Sequence, residues 1–157
     1  MSNPYVQLLQ AVVDRVRKSD FITNPPAILV VPEEDEPSDD RPGQGDSIAD
    51  RVEFALERAG IAVIVYIENG DATSEGGDKI DLRVQVAERP INNRHQSGTQ
   101  KPCWEVLFSV RAQLENWAPE PEGSWAPFLF LGFTTITKGN DLVREVQFQT
   151  LGFLTAD

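Results

Sequence analysis

At 157 residues, with 40% apolar and 25% charged side chains, the chain is long enough to bury a core without disulfides or a structural metal. Its single cysteine, Cys103, excludes an intramolecular disulfide and a cysteine metal cage. The formal net charge of −11 withholds the basic footprint that a phosphate-binding surface needs.

No basic-then-apolar leader opens the sequence, and no apolar run is long enough to span a bilayer. The expectation is a protein of the cytoplasm, or of a particle assembled there, without membrane contact.

Pro4 suits a first helical turn, with Ser2 and Asn3 ahead of it as caps. Leu8, Leu9, Val12, Val13 and Val16 then recur at helical spacing, and Asn24-Pro25-Pro26 forbids continuation. Ala27–Val31 is a short apolar run that reads as a strand ended by Pro32. Between Pro32 and Asp46 stand seven acids (Glu33, Glu34, Asp35, Glu36, Asp39, Asp40, Asp46) against Arg41 alone, six net negative charges of the eleven. Like charges and prolines at this density predict a mobile, extended acidic loop over about 32–46, within an otherwise single domain. The EF-hand spacing is absent from it, so a solvated loop is expected rather than a cation site.

Asp46 or Ser47 can cap a second helix carrying Ile48, Val52, Leu56 and Ala59 on one stripe, and Gly60 suits the left-handed position past its end. Ile61–Ile67 is apolar on both parities, which predicts a strand covered on both faces, by helices on one and by another sheet or subunit on the other. Asn69-Gly70-Asp71 reads as the start of a turn, leading to the alternating strand Ile80–Val86. Lys101–Trp117 is the longest helical pattern. Its stripe is Cys103, Leu107, Val110, Leu114 and Trp117, widened by Trp104 and Phe108, with Pro102 in the first turn and Ser97 or Thr99 upstream as caps. Phe128–Thr137 and Leu142–Leu151 read as two closing strands around Lys138-Gly139-Asn140-Asp141, with Val146, Phe148 and Thr150 inward and Glu145, Gln147 and Gln149 outward. The order α-β-α-β-β-α-β-β predicts an α+β fold: a mixed, mostly antiparallel sheet with helices packed on one face.

Catalytic chemistry is sparse. His95, the only histidine, lies in a polar stretch, so neither a Ser-His-Asp arrangement nor the usual zinc shells can be assembled. Ser97-Gly98-Thr99-Gln100-Lys101 echoes a phosphate-binding loop, but the first glycine is Asn93 and the magnesium-binding hydroxyl is Pro102, so the chemistry of that motif is missing. Glu68, Asp71, Asp78, Asp81 and Glu88 could supply the carboxylates of a metal-dependent hydrolase, a lesser alternative. No cofactor, metal or catalytic residue is expected. Cys103, on the apolar stripe of a helix, reads as a buried small side chain rather than a reactive thiol.

The stretch from Glu88 to Lys101 is the candidate surface. Arg89, Arg94 and Lys101 make it the most basic part of the chain, with Glu88, Asn92 and Asn93 between and beside them. Glu33, Glu34, Asp35 and Glu36 of the acidic stretch are its electrostatic complement. Two such surfaces suit head-to-tail contacts between copies, which close into rings where the rotation permits; an intramolecular pairing is the alternative.

The run Val84–Arg94 (VQVAERPINNR), then Gly98-Thr99, Lys101-Pro102 and the helix end Leu114-Glu115-Asn116-Trp117, resembles small tail-associated proteins of bacteriophages and prophages. The element order is similar to the tail-terminator (tail-completion, minor tail protein U-like) family. That resemblance implies a non-enzymatic virion structural protein, a hexameric ring at the tail–head joint. Its partners would be other copies of itself, tail-tube protein and head connector, with DNA passing through without specific binding. A small ligand- or peptide-binding module of a bacterial cytoplasm is the alternative from a different class.

Overall fold

The computed structural model describes residues 4–19, 27–30, 48–72, 77–90, 92, 101–119 and 124–152. Three helices, α1 (Pro4–Val16), α2 (Ile48–Arg58) and α3 (Cys103–Leu114), alternate with five strands, β1 (Ala27–Val30), β2 (Ile61–Ala72), β3 (Asp78–Glu88), β4 (Leu129–Lys138) and β5 (Asp141–Gly152). The strands form one sheet in the order β1-β2-β3-β5-β4, parallel between β1 and β2 and antiparallel elsewhere. The α+β class, the mostly antiparallel sheet and the element order are those the sequence predicts.

The placement of one helix is not. Along β2, Ile61, Val63 and Val65 pack with α1 and α3, whereas Ala62 and Ile64 pack with Ala55 and Leu56 of α2. Successive strand side chains point to opposite faces, so α2 covers the face that α1 and α3 leave open. Topology requires this. The crossovers β1–α2–β2 and β3–α3–β4 each join parallel strands and advance the same way across the sheet, but β1 and β3 run in opposite directions. Right-handed connections then put α2 and α3 on opposite faces. The second cover expected over β2 is thus a helix of its own chain.

The larger cluster joins Leu8, Leu9, Val12, Val13 and Val16 of α1 and Cys103, Val106, Leu107, Val110 and Leu114 of α3 to Ile80, Leu82, Val84 and Val86 of β3 and to Val146 and Phe148 of β5. The Arg15 side chain crosses between the helices and donates from Nε to the Gln113 carbonyl at 2.9 Å. Gly60, at φ +76°, ends α2 in the left-handed conformation expected of it. Gly139, at φ +62°, takes the first position of the two-residue turn between β4 and β5, where glycine meets no Cβ penalty.

Three local expectations are corrected. Asn69-Gly70-Asp71 is not a turn: β2 runs on to Ala72 through a bulge at Glu68, with Gly70 paired to Ile80 and Asp71 to Lys79. The glycine serves a close approach, since a Cβ there would stand 2.9 Å from the Tyr5 hydroxyl. The third helix stops at Leu114, short of Trp117. Asn116 turns the chain at φ +64°, and Trp117 instead stacks on Phe128 at 6.0 Å. Glu145 is not an outward residue; it is only 2% exposed. Val146, Phe148 and Thr150 are buried as expected. The acidic stretch 32–46 and the caps proposed at Ser2, Asn3, Asp46, Ser47, Ser97 and Thr99 lie outside the described residues.

Candidate functional site

The predicted interface residues were placed together because β3 runs straight into a polar, basic segment. The structure uses three of them internally. Glu88, the last residue of β3, is only 3% exposed, and its Oε1 accepts the backbone N–H of Cys103 at 3.3 Å. It is therefore not a surface residue. The N-cap position of α3 is Pro102, which offers no side-chain cap, so a carboxylate borrowed from the sheet meets the positive end of the helix. The Cys103 thiol, buried beside it, donates to the Val86 carbonyl at 3.3 Å, and burial pushes its pKa up. That is the environment of an inert core thiol, as expected.

Arg89 grips two acids at once. Its Nη1 and Nη2 donate to Glu53 Oε1 and Oε2 of α2, each at 2.8 Å, while Nε and Nη2 donate to Asp141 Oδ1 and Oδ2 at 2.8 and 3.1 Å. These bonds, Glu53 first, raise the Arg89 pKa and lower that of Glu53. Asn92 adds a second tie, donating from Nδ2 to the Leu56 carbonyl at 3.1 Å. The segment after β3 thus clamps α2 to the sheet: of the two readings of its charge, the intramolecular one describes Arg89. Lys101 is half-buried just ahead of α3. Asn93, Arg94, Glu33, Glu34, Asp35, Glu36, His95 and the phosphate-loop echo at 97–100 lie outside the described residues.

Beyond α2, the same face of the sheet carries a polar network centred on Glu145. Its Oε2 accepts from Tyr66 Oη at 2.6 Å and Gln85 Nε2 at 2.8 Å, and its Oε1 from Arg83 Nη1 at 3.2 Å and Gln147 Nε2 at 3.3 Å. Burial pushes the Glu145 carboxyl up, but the hydrogen bonds from Tyr66 and Gln85 and the charge of Arg83 outweigh it and hold the pKa below the usual value. Tyr66 is pushed up to about 12, by burial first and then by its bond to Glu145. The network floors a cleft of about 610 Å³ between α2 and the sheet, walled by Val52, Leu56, Ile64, Ala87, Ile136 and Val143.

The third feature was hidden from sequence reasoning. Trp104 and Phe108, read as a widening of the buried stripe of α3, are exposed; Val106 is buried instead. With Leu129, Leu131 and Ile136 they are the large hydrophobic side chains left between 39% and 57% exposed among the described residues. All five gather at β4, the strand that ends the sheet. Trp104 and Phe108 pack edge-on to Phe133 at 5.7 and 5.5 Å, on the face that carries α1 and α3. Leu129 and Ile136 pair with Gln149 and Val143, on the opposite face, and Leu131 is the extra residue of a bulge completed by Gly132 at φ +150°. The apolar surface therefore wraps the edge from both sides. Arg111 lies 3.6 Å from the Phe130 ring centre and Arg144 lies 4.3 Å from that of Trp104, so the patch is capped by cations. A sequence signal existed: Trp104, Phe108 and Arg111 follow i, i+4, i+7, a stripe of their own beside the core stripe.

Among the described residues, no group of three His, Cys, Asp or Glu side chains could hold a metal ion, and no helix is long and apolar enough to cross a membrane. Of the carboxylates considered for hydrolysis, Asp78, Asp81 and Glu88 diverge. Asp78 accepts from Tyr5 on the α1 face at 2.9 Å, Asp81 pairs with Arg83 on the α2 face at 3.4 Å, and Glu88 is buried under α3. Compared with known protein families and with curated proteins, the chain shows no match.

Proposed function

We propose that the chain is a non-enzymatic structural protein of a tailed phage or prophage virion, a tail terminator or completion protein that assembles as a ring, a hexamer, at the tail–head joint. The observation that carries the reading is where the unsatisfied surface lies. Arg89, Glu88 and Glu145 are engaged inside the fold, while five large apolar side chains stand open at one sheet edge. Apolar surface gathered in this way marks a contact with another protein. Its partners in the virion are other copies of itself, the tail tube and the head connector. The net charge of −11 suits a ring through which DNA passes without being held.

Light scattering on a size-exclusion column tests the reading: a closed oligomer larger than a dimer is expected, and a strictly monomeric species across a wide range of concentration and salt overturns it. One observation favours a second reading, a ligand- or peptide-binding module: the cleft beneath α2 lies within the size range of small-molecule sites, with Tyr66 and Gln85 as its polar floor. A fragment screen by protein-observed NMR that perturbs Tyr66, Gln85 and Ile136 together supports that reading; an empty screen rejects it.

A further inference from the structure

We infer that the β4 edge, with the aromatic patch of α3 beside it, is the receiving half of a head-to-tail contact, and that its occupant is a different surface of a second copy of this chain. The inference rests on the ring reading and gives it a polarity.

Three observations lead there. The apolar side chains belong to both faces of the sheet at β4, Trp104 and Phe108 on one and Leu129 and Ile136 on the other. A partner that buries both must clasp the strand from its open side, where β4 has backbone groups facing away from β5. Of the two arginines that cap the patch, Arg111 is paired with Glu115 at 2.9 Å. Among the described residues Arg144 forms no ion pair, and its buried Nε has no hydrogen-bond partner. Its charge is the one at this patch that a carboxylate of another copy can meet. Finally, a second copy carries that counter-charge in abundance, with six net negative charges between residues 32 and 46.

The alternative use of the same edge is a two-fold contact, β4 against β4. It would use the patch of both copies, leave the acidic stretch of each out of the contact, and close at a dimer. The heterologous contact instead leaves each copy with one donor and one receiving surface, the condition for a ring.

Native mass spectrometry and sedimentation of the full chain test this, using wild type, L131K and the quadruple variant E33Q/E34Q/D35N/E36Q. Leu131 is an exposed bulge residue, so its lysine variant should stay folded by circular dichroism. Both variants are expected to raise the concentration at which the wild type assembles by about tenfold or more. Hydrogen exchange of the wild type should show the amides of β4 protected in the assembled species and open in the monomer, a readout independent of any variant. Wild-type assembly with unprotected β4 amides, or unaltered by L131K, overturns the inference and leaves the ring reading standing. Assembly that stops at a dimer overturns the head-to-tail polarity, as does an unchanged quadruple variant. A wild type monomeric at every concentration overturns both readings and assigns the edge to a different chain.

Discussion

At Glu145 one carboxylate serves Tyr66, Gln85, Arg83 and Gln147 within 3.3 Å. Glu145→Ala strands those donors in a buried site, and urea denaturation should show a loss of about 3 kcal/mol. Tyr66→Phe removes two bonds, the one it donates to Glu145 and the one it accepts from Gln85 Nε2 at 3.2 Å, and should cost about 1–2 kcal/mol. The network also sets a pH window. The folded pKa of Glu145 lies below its unfolded value, so its contribution is present above the unfolded pKa and lost as pH falls through the folded one. Tyr66, raised to about 12, contributes fully below its ordinary value of 10.0 and loses that contribution as pH rises toward 12. Thermal melts should therefore weaken at both ends, and in Glu145→Gln the acid-side loss should shrink. Reading β5 by alternation places Glu145 on the face opposite Val146, and that parity is right. The alternation says nothing of what covers that face, and so an ordinary solvated acid was expected where a buried one stands. Arg89 is the same kind of case: a basic residue in a basic stretch, whose partners Glu53 and Asp141 are 36 and 52 residues away in sequence.

At the scale of elements, α2 is held by side chains that arrive from the end of β3. Arg89→Lys keeps the charge but not the fork that holds two carboxylates. It should lower Tm by about 2–4 °C and speed hydrogen exchange in α2 while leaving α1 and α3 unchanged. The α3 N-terminus depends on Glu88 in the same way. Glu88→Ala leaves the Cys103 amide and the helix end unmet and should cost about 2 kcal/mol, with Glu88→Gln, which still accepts, nearer to 1 kcal/mol, both read from urea midpoints. The helices and strands themselves were legible because their periodicities are local: α1 and α3 bury the stripes that the 3.6-residue spacing marks, and β5 alternates as written. What was not legible is what another element decides. Which face receives α2 depends on strand order, and Trp104 and Phe108 are exposed because the sheet narrows to β4 beneath them. The length of β2 depends on Tyr5 passing over Gly70.

For the whole molecule, the candidate surface and the chain's charge lie in different places, and assembly should join them. Trp104 is exposed, Trp117 half-buried and Trp125 buried, so tryptophan fluorescence separates the patch from the core. Acrylamide should quench the dilute protein more than the concentrated one, and Trp104→Phe should abolish most of that difference. A difference that persists in Trp104→Phe places the contact elsewhere. The sheet itself consists of two hairpins, β2–β3 and β4–β5, zipped along one seam between β3 and β5 whose paired residues lie far apart in sequence. Distant strands meeting late in folding have several ways to dock, and apolar side chains alone discriminate poorly among them. Displacing that seam by a single residue would turn Glu145 to the face covered by α1 and α3, against Val84 and Val86 of β3, at a cost of several kcal/mol for an unmatched carboxylate. The carboxylate that gathers four donors in the finished fold is thus also the group that makes the misaligned one untenable.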